Sequence, residues 1–168
     1  NRDSSEYDNI VEIFRKYNIR YFFYIGGNDS MDTVGKMSMY VKKHQMDVKV
    51  IGIPKTIDND LVVTDHTPGF GSAAKYVASM VREVAIDASV YDNKKSVTIV
   101  EIMGRHAGWL TAASALARKY DGDNPRLIYL PETAFDQEAF LKKVQKMLET
   151  TPNLVVCISE GIHDKNGT

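Results

Sequence analysis

The sequence predicts an α/β fold: parallel, Rossmann-like sheets with helices on both faces. Two patterns carry this. Short apolar runs alternate with segments whose apolar residues recur at three- and four-residue steps. The runs are continuous rather than alternating, as in strands buried on both sides, and strands joined through helices lie parallel. Composition agrees: 43% apolar and 26% charged residues in 168 suit a soluble chain with a sizeable core, in one domain or parts of two.

The elements follow in order. Ile10, Ile13, Phe14 and Tyr17 predict one face of a first helix. The run 21–25 is a strand ended by Gly26-Gly27, and a helix from about Ser30 presents Val34, Met37 and Val41. Residues 48–53 form the second strand, and 54–67 are irregular. Thr67 is placed to cap a long helix with Pro68 in its first turn and Phe70, Ala73, Ala74, Val77, Val81, Val84 and Ala88 inside. Residues 97–102 form the third strand, and a small-residue helix spans about 106–119. A fourth strand covers 127–130. A helix over 135–148 carries Phe140, Val144 and Leu148, and 154–158 is the fifth strand. No segment repeats and none is of low complexity.

Several function classes are disfavoured. The net charge is −1 with both signs interspersed, so no nucleic-acid surface is expected. No apolar stretch approaches the roughly 20 residues of a membrane span, and no signal-peptide pattern opens the chain. The single cysteine, Cys157, lies in an apolar run and reads as a buried small hydrophobe, in keeping with a reducing cytoplasm. The start at Asn1 and the turn-like Lys165-Asn166-Gly167-Thr168 are expected of a piece of a longer enzyme.

Chemistry gathers where the strands end. The ends read Gly26-Gly27-Asn28-Asp29-Ser30, Pro54-Lys55-Thr56-Ile57-Asp58-Asn59-Asp60, Met103-Gly104-Arg105-His106, Pro131-Glu132 and Ser159-Glu160-Gly161. Open parallel sheets bind ligands outside the carboxyl ends of their strands. The glycine pair before a helix suits a phosphate or pyrophosphate, or is a plain turn capped by Asn28, Asp29 or Ser30. Asp58 and Asp60, if extended, face one side, where they can share a metal or one can act as a base while the other tunes it; the alternative is a solvated Asp-Asn turn. Gly104 and Arg105 suit close approach and forked bonding to phosphate or carboxylate, or start a helix beside a surface arginine. Glu160 holds sugar hydroxyls or caps its strand. His106 and Trp109 read as packing residues, Lys94 and Lys95 as a solvated turn. Gly-x-Gly-x-x-Gly is missing after Gly26, which speaks against a nicotinamide-dependent dehydrogenase.

Taken in order, the glycine pair, Thr56-Ile57-Asp58-Asn59-Asp60, Met103-Gly104-Arg105 and Ser159-Glu160-Gly161 resemble the phosphofructokinase family across almost the whole chain, as does the stretch 68–76. The resemblance implies the phosphofructokinase fold and transfer of a phosphoryl group to the 1-hydroxyl of fructose 6-phosphate. It assigns Asp58 as base, Thr56 to the substrate or the moving phosphoryl, and Asp60 to orienting the site. Met103, Gly104, Arg105 and Glu160 would line the fructose 6-phosphate pocket. Gly26, Gly27, Asp29, Ser30 and Lys55 would hold the donor, with Mg²⁺ sharing the charge. Residues 1–68 would belong to the donor side and 69–168 to the sugar side, with the active site in the cleft between and a homo-oligomer in the full-length enzyme.

The donor implied is pyrophosphate. Bacterial ATP-dependent members usually have glycine where this chain has Asp29, whereas pyrophosphate-dependent members are similar to it at Asp29 and Lys55. A carboxylate there would crowd and repel a nucleotide's α-phosphate. The alternatives are an ATP-dependent phosphofructokinase and a non-catalytic module that keeps the fold. Asn28 stands where the family usually has a metal-binding aspartate and is the candidate metal ligand through its amide oxygen. Ser96 stands where many members place an arginine. Missing flanking motifs imply that the piece alone is inactive.

Overall fold

Each apolar run becomes a strand, and every strand pairing among the described residues is parallel. A computed structural model describes residues 4–91 and 93–167 of the chain. They divide into two units, Asn1–Thr56 with Leu61–Val63, and Ile57–Asp60 with Thr64–Thr168.

The first unit contains α1 (Ser4–Lys16), β1 (Tyr21–Gly26), α2 (Asn28–Lys43) and β2 (Lys49–Pro54). The strands pair in register from Tyr21 beside Lys49 to Gly26 beside Pro54, which sets the two carboxyl ends side by side. Val11, Phe14, Met37, Val41 and Val48 form the core, with Phe22 and Val50 packed on it. Both helices therefore cover the Phe22–Val50 face. On the opposite face Phe23, Ile25, Ile51 and Ile53 are exposed. Of the expected stripe of α1, Phe14 is buried and Ile10 packs on the core beside Val11, whereas Ile13 is 49% and Tyr17 67% exposed. The ring of Phe14 sets this rotation by packing 5.2 Å from that of Phe22.

α2 starts at Asn28, two residues before the expected Ser30. Gly27 is its N-cap in an extended conformation, and no side chain caps it. The reading of Asn28, Asp29 or Ser30 as a cap is thereby corrected, since all three lie inside the first turn.

The second unit contains α3 (Phe70–Ser89), β3 (Ser96–Ile102), α4 (Trp109–Ala113) with a 3-10 turn over Ser114–Ala117, β4 (Leu127–Tyr129), α5 (Gln137–Met147) and β5 (Asn153–Ser159). The strand order is β3-β5-β4. Central β5 is fully buried from Leu154 to Cys157, as its unbroken apolar run requires. On one face Cys157 meets Val81, Leu110 and Ala117 from the α3 and α4 side. On the other, Leu154 and Val156 meet Phe140 and Val144 of α5 and Leu148 just after it. Helices thus cover both faces of this sheet. Burial pushes the Cys157 thiol above its ordinary range, in keeping with a packed hydrophobe.

Two helix starts differ from expectation. α3 begins at Phe70 after Gly69, which takes φ 92, a conformation that favours glycine. Thr67 and Pro68 lie outside the helix. The small-residue helix expected over 106–119 is one α-turn and a 3-10 turn. Ser114 Oγ donates back to the Thr111 carbonyl at 2.5 Å, and the chain turns extended at Arg118. Trp109 and His106 are exposed rather than packed. No helix among the described residues is long and apolar enough to cross a membrane.

Candidate active site

In the first unit the in-register ends of β1 and β2 bring Gly26, Gly27, Lys55 and Thr56 together. The Lys55 N–H donates to the Gly26 carbonyl at 2.8 Å. A Cβ on Gly26 would lie 2.4 Å from Cβ of Ser30, whereas one on Gly27 would meet Lys55 O at 3.6 Å. Gly26 is therefore demanded by the turn itself, and Gly27 leaves the backbone open in front of α2. With no side chain capping it, the helix start points its N–H groups outward, an arrangement that favours an anion. Asp29 is exposed in this first turn and Ser30 is half-buried beside Gly26. Lys55 is exposed and Thr56 buried. A carboxylate and an ammonium are thus both exposed at this edge of the first unit, and a negative group arriving near Asp29 would be repelled.

In the second unit, Asp58, Asn59 and Asp60 do not form the extended segment that would set both carboxylates on one side. Residues 57–58 form a turn and Asn59 takes φ 57, so the chain turns rather than extends between them. Asn59 is buried, and Asp58 and Asp60 are half-buried on either side of it.

Met103, Gly104 and Arg105 leave β3 as a tight loop held from two other strand ends. The Gly104 N–H donates to Glu160 Oε1 at 3.0 Å. Ser159 Oγ donates to the Gly104 carbonyl at 2.6 Å and accepts from the Gly161 N–H at 3.0 Å. Gly104 takes φ 129, and a Cβ on Gly161 would lie 2.0 Å from the Arg105 carbonyl. Both positions therefore require glycine. The loop's far end is held by Glu132, whose Oε1 accepts from the Gly108 N–H at 2.7 Å. Arg105 and Glu160 remain exposed, so the loop presents a guanidinium and a carboxylate together. This pair can take an anionic, hydroxylated ligand. Met103 also lines an apolar cavity of about 290 Å³ with Ile57, Tyr76 and Val77.

Ser159 and Glu132 are the loop-holding residues that local pattern did not assign. Glu132 carried a signal, since it follows β4 at the carboxyl end where the other motifs lie. Glu132→Ala leaves the buried Gly108 N–H without its acceptor and should cost about 1–3 kcal/mol of stability in urea unfolding. Glu132→Gln, which keeps an oxygen there, should cost about 1 kcal/mol or less.

Among the described residues no three His, Cys, Asp or Glu side chains gather to cage a metal ion. Mg²⁺ ordinarily needs no cage, because one or two carboxylates and the oxygens of a substrate phosphate hold it. Within the second unit, Asp58 and Asp60 supply that number. The residues present fit an ion that arrives with a phosphate ligand.

The family model described as Phosphofructokinase matches residues 1–168. The chain is 52% identical over 167 residues to a pyrophosphate–fructose 6-phosphate 1-phosphotransferase of Xanthomonas campestris, covering 99% of this chain and 40% of that one. A protein of the same name from Rhodospirillum rubrum is 50% identical over 158 residues, covering 94% and 38%. The fold matches the crystal structure of a pyrophosphate-dependent phosphofructokinase from Marinobacter aquaeolei with a TM-score of 0.84 at 43% identity, over 98% of this chain and 42% of that one. The chain thus spans about two fifths of the length of the relatives it matches.

Proposed function

This chain belongs to the phosphofructokinase family, and on that premise we propose that it carries reacting groups for phosphoryl transfer from pyrophosphate to the 1-hydroxyl of fructose 6-phosphate. The observation that carries the reading is the register of the strand ends. Gly26 stands beside Pro54, and Ile102 beside Ser159, so each unit gathers its motif residues at one carboxyl edge.

In this reading Asp58 takes the proton of the 1-hydroxyl as its oxygen attacks the terminal phosphorus of pyrophosphate. The bridging P–O bond breaks, and orthophosphate leaves as fructose 1,6-bisphosphate forms; the reverse transfer runs through the same groups. Thr56 contacts the moving phosphoryl and Asp60 orients the site. Met103, Gly104, Arg105 and Glu160 bind the sugar phosphate. Gly26, Gly27, Asp29 and Ser30 hold the donor, and Lys55 offsets its charge. Mg²⁺ supplies neutralisation of phosphate charge when bound, with Asn28 as a ligand. The protein's share is position and charge, because this transfer needs little covalent help. Residues 1–68 serve the donor side and 69–168 the sugar side. The setting is the cytoplasm and the assembly a homo-oligomer, without nucleic acid or membrane; the lone buried Cys157 supports the reducing compartment.

The test is a full-length chimera in which these 168 residues replace the matching segment of the Xanthomonas campestris relative. It should form fructose 1,6-bisphosphate from fructose 6-phosphate, pyrophosphate and Mg²⁺, while the 168 residues alone should show no comparable turnover. A folded chimera that makes no product from these substrates would refute the reading.

A further inference from the structure

In the motif that carries Asp58, the polar residue with no assigned task is Asn59. Its side chain is 7% exposed and uses both ends of its amide. Oδ1 accepts from the Thr67 N–H at 2.9 Å and from Thr67 Oγ1 at 3.3 Å. Nδ2 donates to the Asp65 carbonyl at 3.2 Å. Thr67 is 3% exposed, and its carbonyl accepts from the Phe70 N–H at 3.1 Å. Asn59 is thereby tied to the start of α3, a 20-residue helix packed on the sheet.

The backbone adds a second observation. Asn59 takes φ 57, a left-handed conformation that asparagine tolerates better than most residues. A loop kept in such a shape by a buried amide has a defined path on both sides of Asn59, where Asp58 and Asp60 stand.

We propose that Asn59 is a positioning residue: its amide bracket to Asp65 and Thr67 fixes the turn that aims the carboxylates of Asp58 and Asp60. The inference rests on the reading of Asp58 as base. Asn59 touches no reacting atom in this scheme and acts through its neighbours.

Three substitutions in the chimera separate shape from bracket. Asn59→Gly keeps access to positive φ but loses the amide. Asn59→Asp keeps the acceptor oxygen and loses the donor to Asp65. Asn59→Ala loses amide and conformational ease together. Displacing a catalytic group by about 1 Å costs about 100-fold in rate. Per folded molecule, kcat should therefore fall about 10- to 100-fold in Asn59→Gly and Asn59→Ala, with KM for fructose 6-phosphate changing less than about threefold. Asn59→Asp should fall between them and the unsubstituted chimera. Amide hydrogen exchange at Thr67 should quicken in Asn59→Gly and Asn59→Ala, which lose its acceptor, and not in Asn59→Asp, which keeps it.

A residue that only stabilised the fold would lower the folded fraction and leave kcat per folded molecule intact. If Asn59→Gly keeps kcat within about twofold, the positioning claim fails while the functional reading stands. If the unsubstituted chimera makes no fructose 1,6-bisphosphate, the functional reading fails and takes the claim with it.

Discussion

Asp58→Asn in the chimera is expected to lower kcat by about 100- to 10,000-fold, the range ascribed to a lost general base. Asparagine preserves the volume and most of the polarity of Asp58 but cannot take the proton of a hydroxyl. Asp58 is half-buried in a turn whose next residue is bonded to Asp65 and Thr67, so the change should not collapse the loop. KM for fructose 6-phosphate should stay close to its starting value, because the base acts mainly in the transition state. Initial rates of fructose 1,6-bisphosphate formation, with the folded fraction read by thermal melting, check this. A loss smaller than about tenfold would remove Asp58 from the role of base.

Asp29→Gly is expected to admit ATP. Asp29 lies exposed in the first turn of α2, where no side chain caps the helix. A nucleotide binding there brings a further phosphate against this carboxylate. Two like charges near 4 Å repel by about 1 kcal/mol in water and by more beside a protein surface. Relief of about 1–3 kcal/mol corresponds to a rise of about 5- to 150-fold in kcat/KM for ATP. Pyrophosphate should lose less, since Lys55 and the amides at Gly27 remain. Glycine in the first turn should also weaken α2 by about 1 kcal/mol, so each rate is referred to folded protein. No gain with ATP would mean that charge at Asp29 does not discriminate the donor.

Much of the architecture was legible from continuous apolar runs. The unbroken stretch that becomes β5 announced a strand covered on both faces, and α3 and α5 cover it. Motif positions were legible too, because parallel pairing in register sets strand ends beside each other whatever their sequence separation. Helix starts were less so. α2 begins at Asn28 because Gly27 takes the cap position, and α3 begins at Phe70 because Gly69 adopts φ 92. Backbone conformation decides both, and it leaves no mark in hydrophobic periodicity. The cap expected at Thr67 falls instead on Gly69, two residues later.

Within each unit, local pattern marked the strand-end motifs but not the residues that hold them in place. Ser159 reaches Gly104 across 55 positions and Glu132 reaches Gly108 across 24. Contacts that long arise only after the strands have assembled. Between the extended segment and the turn that Asp58–Asp60 left open, the structure has a turn for a local reason: Asn59 takes φ 57, and it is buried rather than solvated. The lone cysteine, by contrast, was readable from its neighbours, and Cys157 lies fully buried among them.

The central claim is the donor, and its most direct measurement is kcat/KM of the chimera for pyrophosphate and for ATP at fixed fructose 6-phosphate and Mg²⁺. Asp29 and Lys55 predict product with pyrophosphate and at least about 100-fold lower kcat/KM with ATP, the discrimination given by about 3 kcal/mol. Equal use of both donors, or preference for ATP, would contradict the account.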